Sequence, residues 1–140
     1  MANNTLRDPQ IFISKEARDL FDNMRSLKEF KNFENKHFFV LAVMFGYLNK
    51  KKKPLKKQDR TKSGFTRAAY LRENDIALLQ SIAINEENDI GLVNNISKVF
   101  SIAEEYANGG INDLKEFVYD NPADFLKKFA SKLKKLSKNK

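Results

Sequence analysis

Residues 38–48 (FFVLAVMFGYL) run for 11 positions without a charged side chain, and nothing else in the chain constrains the fold as tightly. A segment that is apolar all round has to be covered all round, so it reads as the buried centre of the fold. Val40 and Val43 are β-branched and would suit a buried strand, but the length of the run argues for a helix. Asn35 is placed to cap that helix, which is expected from Lys36 to about Asn49. The run falls well short of the roughly 20 residues a membrane-spanning helix needs. The cover must therefore come from the rest of the chain. With 140 residues, 41% of them hydrophobic and 31% charged, there is enough for one compact domain under a heavily charged surface.

Helical spacing supplies the surrounding elements. Ser14 caps a first helix, Glu16 sits in its first turn, and Ile13, Ala17, Leu20, Phe21 and Met24 recur along one face to about Arg25. Leu27, Phe30 and Phe33 suggest a short anchoring turn. Asn74 or Asp75 opens a further helix carrying Ile76, Leu79, Ile82 and Ala83, and Asn88 or Asp89 begins a turn ending near Val93. Asn95 or Ile96 starts a helix lined by Val99, Phe100, Ala103 and Ala107, with Asn108-Gly109-Gly110 expected to stop it. A short helix over 111–119 follows. Asn121-Pro122 then begins a last one striped by Phe125, Phe129, Leu133 and Leu136. The expected fold is mostly α: a single-domain bundle of five to six helices over residues 13–136, packed around the central helix. Residues 1–12 read as a flexible N-terminus and 137–140 as a frayed basic tail. Residues 65–71 suit either a short strand or the start of a helix, and the basic 50–72 region has room for a small β-hairpin.

The net charge of +8 is unevenly placed. Residues 50–72 carry 10 basic side chains against one acidic, residues 73–124 carry 2 against 11, and residues 125–140 carry 7 against none. The densest block is Lys50, Lys51, Lys52, Lys53, Lys56, Lys57, Arg60 and Lys62, with Asp59 as its single acid, in an expected exposed loop over 50–64. The plain reading of such a run is a solvated loop that aids solubility. As a binding surface it suits the phosphate backbone, because each neutralised phosphate releases a condensed counterion. Lysine supplies mobile point charge rather than the fork geometry that reads base edges, so backbone contact with weak sequence preference is expected. Arg67 and Arg72 extend the block, and Phe65 and Tyr70 interleave with them as base-stacking candidates or as core aromatics. Lys127, Lys128, Lys132, Lys134 and Lys135 on the last helix form a second candidate basic surface. It would suit DNA, a protein partner or, ranked last, an anionic membrane.

Catalysis finds little support. There are no cysteines, which removes disulfides, zinc–thiolate sites and thiol nucleophiles. His37 is the one histidine and reads as a structural residue at the start of the central helix. No phosphate-binding glycine loop is present. Asp113-Leu114-Lys115 superficially resembles a nuclease fragment, but it falls on an expected helix. Glu104 and Glu105 read as solvent-facing beside a packed Tyr106, with a partner surface as the alternative. No cofactor or metal is called for, and nothing at the N-terminus looks like a signal peptide, so a cytoplasmic protein is expected.

Four blocks, in order, resemble the small accessory proteins of DNA phosphorothioation (Dnd) systems, the DNA phosphorothioation-associated protein 4 family. They are 40–55 (VLAVMFGYLNKKKKPL), Lys62-Ser63-Gly64, 76–83 (IALLQSIA) and 102–110 (IAEEYANGG), within a resemblance spanning 13–133. Glu104, Glu105, Tyr106, Asn108, Gly109 and Gly110 make up its most specific part. The resemblance implies a bacterial or archaeal setting, and a role beside a system that replaces a non-bridging phosphate oxygen of DNA with sulfur and defends against unmarked DNA. It brings no catalytic residues. Two functions are therefore expected: a non-catalytic DNA-binding accessory subunit, or a protein-interaction subunit that recruits or regulates a larger ATPase or nuclease of the same system.

Overall fold

A computed structural model describes residues 9–120, together with Lys127 and Ser131. Its elements are strand β1 (Gln10–Ile11), helix α1 (Lys15–Arg25), helix α2 (Asn35–Leu48), strand β2 (Thr66–Arg67), helix α3 (Glu73–Glu87) and helix α4 (Ile96–Asp120). Short 3-10 turns occupy Lys28–Phe30, Lys57–Asp59, Ala68–Tyr70 and Ile90–Asn94.

Helix α1 forms where its spacing indicates. The Ser14 hydroxyl accepts the Ala17 amide at 3.0 Å, and Ala17, Leu20, Phe21 and Met24 are buried. Helix α2 is the central element: Phe38, Phe39, Leu41, Ala42, Val43, Phe45 and Gly46 are all buried. Its start differs from the expected cap. Glu34 precedes the first turn, and its amide donates to His37 Nδ1 at 2.8 Å, so the lone histidine closes the helix start. Asn35 instead ties three segments together. Its side-chain oxygen accepts from Arg25, and its amide nitrogen donates to the Phe65 carbonyl at 2.8 Å. Phe21 stacks on Phe38 with ring centroids 5.2 Å apart and lies 5.4 Å from Phe65, joining α1, α2 and the segment before β2 in one aromatic core.

Among the described residues there are four α-helices against an expected five to six; within 96–120 the reason is that the expected stop at Asn108-Gly109-Gly110 does not form. Helix α4 passes straight through Asn108-Gly109-Gly110, and no glycine has a positive φ. The glycines serve close approach instead. A Cβ on Gly110 would lie 2.4 Å from the Gly46 nitrogen and 2.6 Å from the Ala42 oxygen; one on Gly46 would lie 1.9 Å from the Tyr106 oxygen. Helices α2 and α4 thus meet backbone to backbone, and the expected separate helix over 111–119 is the second half of α4. The helix expected from Asn121-Pro122 lies outside the described residues, apart from Lys127 and Ser131, which are helical.

The two-stranded sheet also departs from expectation. β2 does not form a hairpin within 50–72; it pairs antiparallel with β1, with Gln10 opposite Arg67 and Ile11 opposite Thr66. Ile11, inside the segment read as flexible, is fully buried. Helix α3 begins at Glu73, one or two residues before the expected start, because Asp75 accepts the Arg72 amide at 3.2 Å from within the first turn. Asn88, at φ 53°, ends it in the left-handed conformation. No helix of the described residues is long and apolar enough to cross a membrane.

Candidate functional site

Helix α2 ends at Leu48, and the chain turns at Lys50 with φ 56°. The next residues do not form a free loop. Lys51 donates its amide to the Gly46 oxygen at 2.8 Å, and Lys53 donates its amide to the Glu105 oxygen at 3.0 Å. The Asn108 side chain donates to the Pro54 oxygen at 3.0 Å and to the Lys53 oxygen at 3.3 Å. A Cβ on Gly109 would sit 2.2 Å from the Lys51 oxygen, so this segment lies directly on the α4 backbone. Residues 50–54 are a strap fastened along α4, and the sequence block singled out by resemblance is its seat.

The acidic middle of the chain meets the strap through side chains. Lys51 Nζ pairs with Asp113 at 3.0 Å. Lys52 Nζ binds Glu86 on α3 and lies 3.9 Å from Glu105, with the Tyr106 ring centroid 5.9 Å away. Tyr106 donates its hydroxyl to the same Glu86, and Tyr47 packs edge-on against it at 5.5 Å. The Lys52 hydrogen bond, then that of Tyr106, holds the Glu86 carboxyl below the usual carboxylate range. The Glu86 hydrogen bond in turn raises the Lys52 ammonium. Burial, reinforced by Glu86, pushes the Tyr106 phenol up.

Glu104 does not face solvent as expected. It is largely buried and accepts the Phe12 amide at 2.8 Å. Burial raises its carboxyl to about 7, against the opposing pull of the Phe12 amide and of Arg60. Arg60 lies over the Phe12 ring at 4.0 Å and bridges to Ser14 at the start of α1. One face of α4 thus receives both the strap and the segment leading into α1.

The proposed cations separate into two groups. Lys51, Lys52 and Arg60 are committed to internal partners. Lys50, Lys53, Lys56, Lys57 and Lys62 are exposed and form no ion pair among the described residues. Arg67 and Arg72 are exposed as well. Phe65 is a core aromatic, whereas Tyr70 is 59% exposed. On the second basic surface Lys127 is exposed, and Lys128, Lys132, Lys134 and Lys135 lie outside the described residues. Asp113 stands on a helix beside Lys51, and no cluster of three potential metal ligands occurs among the described residues.

The pairing of Glu86 with Lys52 and Tyr106, and of Phe12 with Glu104, is not legible in the sequence. The near-equal, opposite charges of 50–72 and 73–124 were the available signal that the blocks pair, but not which residues do so.

A family model described as DNA sulphur modification system-associated protein 4 matches residues 10–140. No curated protein and no solved structure matches the chain.

Proposed function

The chain belongs to the DNA sulphur modification system-associated protein 4 family, and from that premise we propose that it is a non-catalytic accessory subunit of a bacterial or archaeal anti-phage defence system linked to DNA phosphorothioation, contacting the DNA backbone. One observation carries this reading. Among the described residues, Lys50, Lys53, Lys56, Lys57 and Lys62 are exposed without an ion-pair partner on a segment whose other cations are held down. Crowded, uncompensated ammonium groups gain most from a polyanion, and the strap fixes the backbone at Lys50 and Lys53 before binding. Lysine, a mobile point charge without the fork that reads base edges, favours phosphate contact over base readout.

DNA binding measured across a salt series tests the proposal. Contact with about five phosphates predicts a log–log slope of about −4.5 on duplex DNA. Absence of binding at low salt, where backbone contacts are strongest, would sink it.

A second reading, a subunit that recruits or regulates a larger ATPase or nuclease of the system, is favoured by a different place in the fold. Ile90 is 75% and Val93 43% exposed on the 3-10 turn after α3, beside Glu86, Glu87 and Asp89. Exposed apolar side chains on an acidic, capped turn suit a protein partner. Replacing Ile90 by Asp should abolish co-purification with the other proteins of the system and leave DNA binding unchanged; unchanged co-purification would dismiss this reading.

A further inference from the structure

The basic segment ends on an aromatic side chain that the fold leaves open. From the strap on α4 the chain passes the start of α1, where Arg60 bridges to Ser14, pairs through Thr66–Arg67 with β1, and reaches the 3-10 turn Ala68–Tyr70 beside the start of α2. There Lys36 of α2 donates to the Tyr70 carbonyl at 2.9 Å and fixes the turn. The Tyr70 ring makes no aromatic contact, and its hydroxyl no hydrogen bond, among the described residues. Tyr47 and Tyr106 differ in both respects: they pack on each other and both hydroxyls are hydrogen-bonded. Tyr70 also borders a cleft of about 220 Å³ whose other walls are Glu34, Asn35, Lys36, Phe65 and Thr66. The single acid on that rim, Glu34, has Lys36 Nζ 3.8 Å away. Arg67 and Arg72, both exposed, flank the tyrosine in the chain.

We propose that Tyr70 and this cleft receive one unstacked nucleobase, so that the basic segment takes single-stranded or locally opened DNA in preference to an intact duplex. This rests on the DNA-binding reading above and names its substrate class. A flat aromatic left open between cations suits a base whose π-face has been freed and whose flanking phosphates need neutralising. In a duplex both faces of every base are already stacked, so the tyrosine gains nothing there. Glu34, whose carboxylate is exposed on the rim, adds an acceptor for a base edge while the backbone stays on the lysines.

Fluorescence anisotropy on three labelled probes of equal length separates the terms: a single strand, an abasic single strand with the same sugar–phosphate backbone and phosphate number, and a duplex. The single strand should bind more tightly than the abasic strand, and Tyr70→Ala should weaken it by about tenfold or more, to the abasic level. Tyr70→Phe should keep the tight binding, and the salt slope should be the same for all three proteins. Equal affinity for base-containing and abasic strands, or a Tyr70→Ala protein that binds the single strand like the parent, overturns the stacking proposal. If those results come with a steep salt slope, backbone binding through the lysines still stands. If no strand binds at low salt, both fall together.

Discussion

A methyl group on Gly109 would have to enter space held by the Lys51 carbonyl, and on Gly46 the Tyr106 carbonyl; neither neighbour is a side-chain end that can swing away. In an open helix interior, glycine to alanine gains about 1 kcal/mol. Here overpacking against backbone reverses the sign. Gly46→Ala and Gly109→Ala should each lose about 2–3 kcal/mol in denaturant unfolding. Gly91→Ala, whose nearest neighbour is the Asp89 carboxylate at 3.1 Å, should stay within about 0.5 kcal/mol. Equal tolerance at all three positions would mean that neither α2 nor the strap meets α4 as described. Glu104 makes a second prediction at this scale. Its folded carboxyl titrates near 7 because it is buried, against an ordinary 4.5, so between those values the folded protein holds a proton that the unfolded chain has released. Stability from this group is therefore fully present below about pH 4.5 and declines as pH rises toward 7. Glu104→Gln keeps an acceptor for the Phe12 amide and carries no charge to bury. Melting temperature measured from pH 5 to pH 8 should fall less in the variant, with the variant the more stable protein at pH 8.

The strap is an element without regular secondary structure, and its order comes from α4. The Asn108 amide holds two consecutive carbonyls, Lys53 and Pro54, and the Lys53 amide is held by Glu105. Asn108→Ala should cost about 1–2 kcal/mol and speed hydrogen exchange at the Lys53 amide, while amides in the buried half of α2 keep their protection. Unchanged exchange at Lys53 would show that the asparagine is not what fastens the segment. The helices themselves were legible because their signals are local: Ser14 followed by Ala17, Leu20, Phe21 and Met24 states a cap and a buried face within a dozen residues. The strap was not. Glycine is chosen both where a helix must end and where two backbones must touch, and only the partner segment, some sixty residues away, decides which applies at Gly109 and Gly110. Strand pairing failed for the same reason. Thr66–Arg67 looked able to form a hairpin with a near neighbour, and nothing local marks Gln10–Ile11 as its partner. Glu104 looked like any surface acid on a helix until Phe12, far back in the chain, supplied the amide that it accepts.

At the scale of the whole molecule, the question is how a chain with ten cations over 50–72 and eleven acids over 73–124 avoids cancelling its own surface. The fold cancels part of it: Lys51 and Lys52 are set against Asp113, Glu86 and Glu105, while Lys50, Lys53, Lys56, Lys57 and Lys62 form no ion pair among the described residues. This division gives neighbouring lysines opposite mutational signatures. Replacing Lys53, Lys56, Lys57 and Lys62 by serine removes about four phosphate contacts, so the salt slope of DNA binding should become shallower by about 3 to 4. Folding stability should stay level or rise slightly as like-charge crowding is relieved. Replacing Lys51 and Lys52 by serine should do the reverse, lowering stability by about 1–2 kcal/mol through the lost ion pairs and the unpaired Glu86. The salt slope should then change by less than about one. Both variants have to be read by the same two measurements, thermal melting and binding across salt, because either alone is ambiguous. A chain in which every lysine simply solvated the surface would show no separation between them. Two variants that weakened DNA binding in proportion to the charge removed would place the whole block, strap included, in the interface and refute the division drawn here.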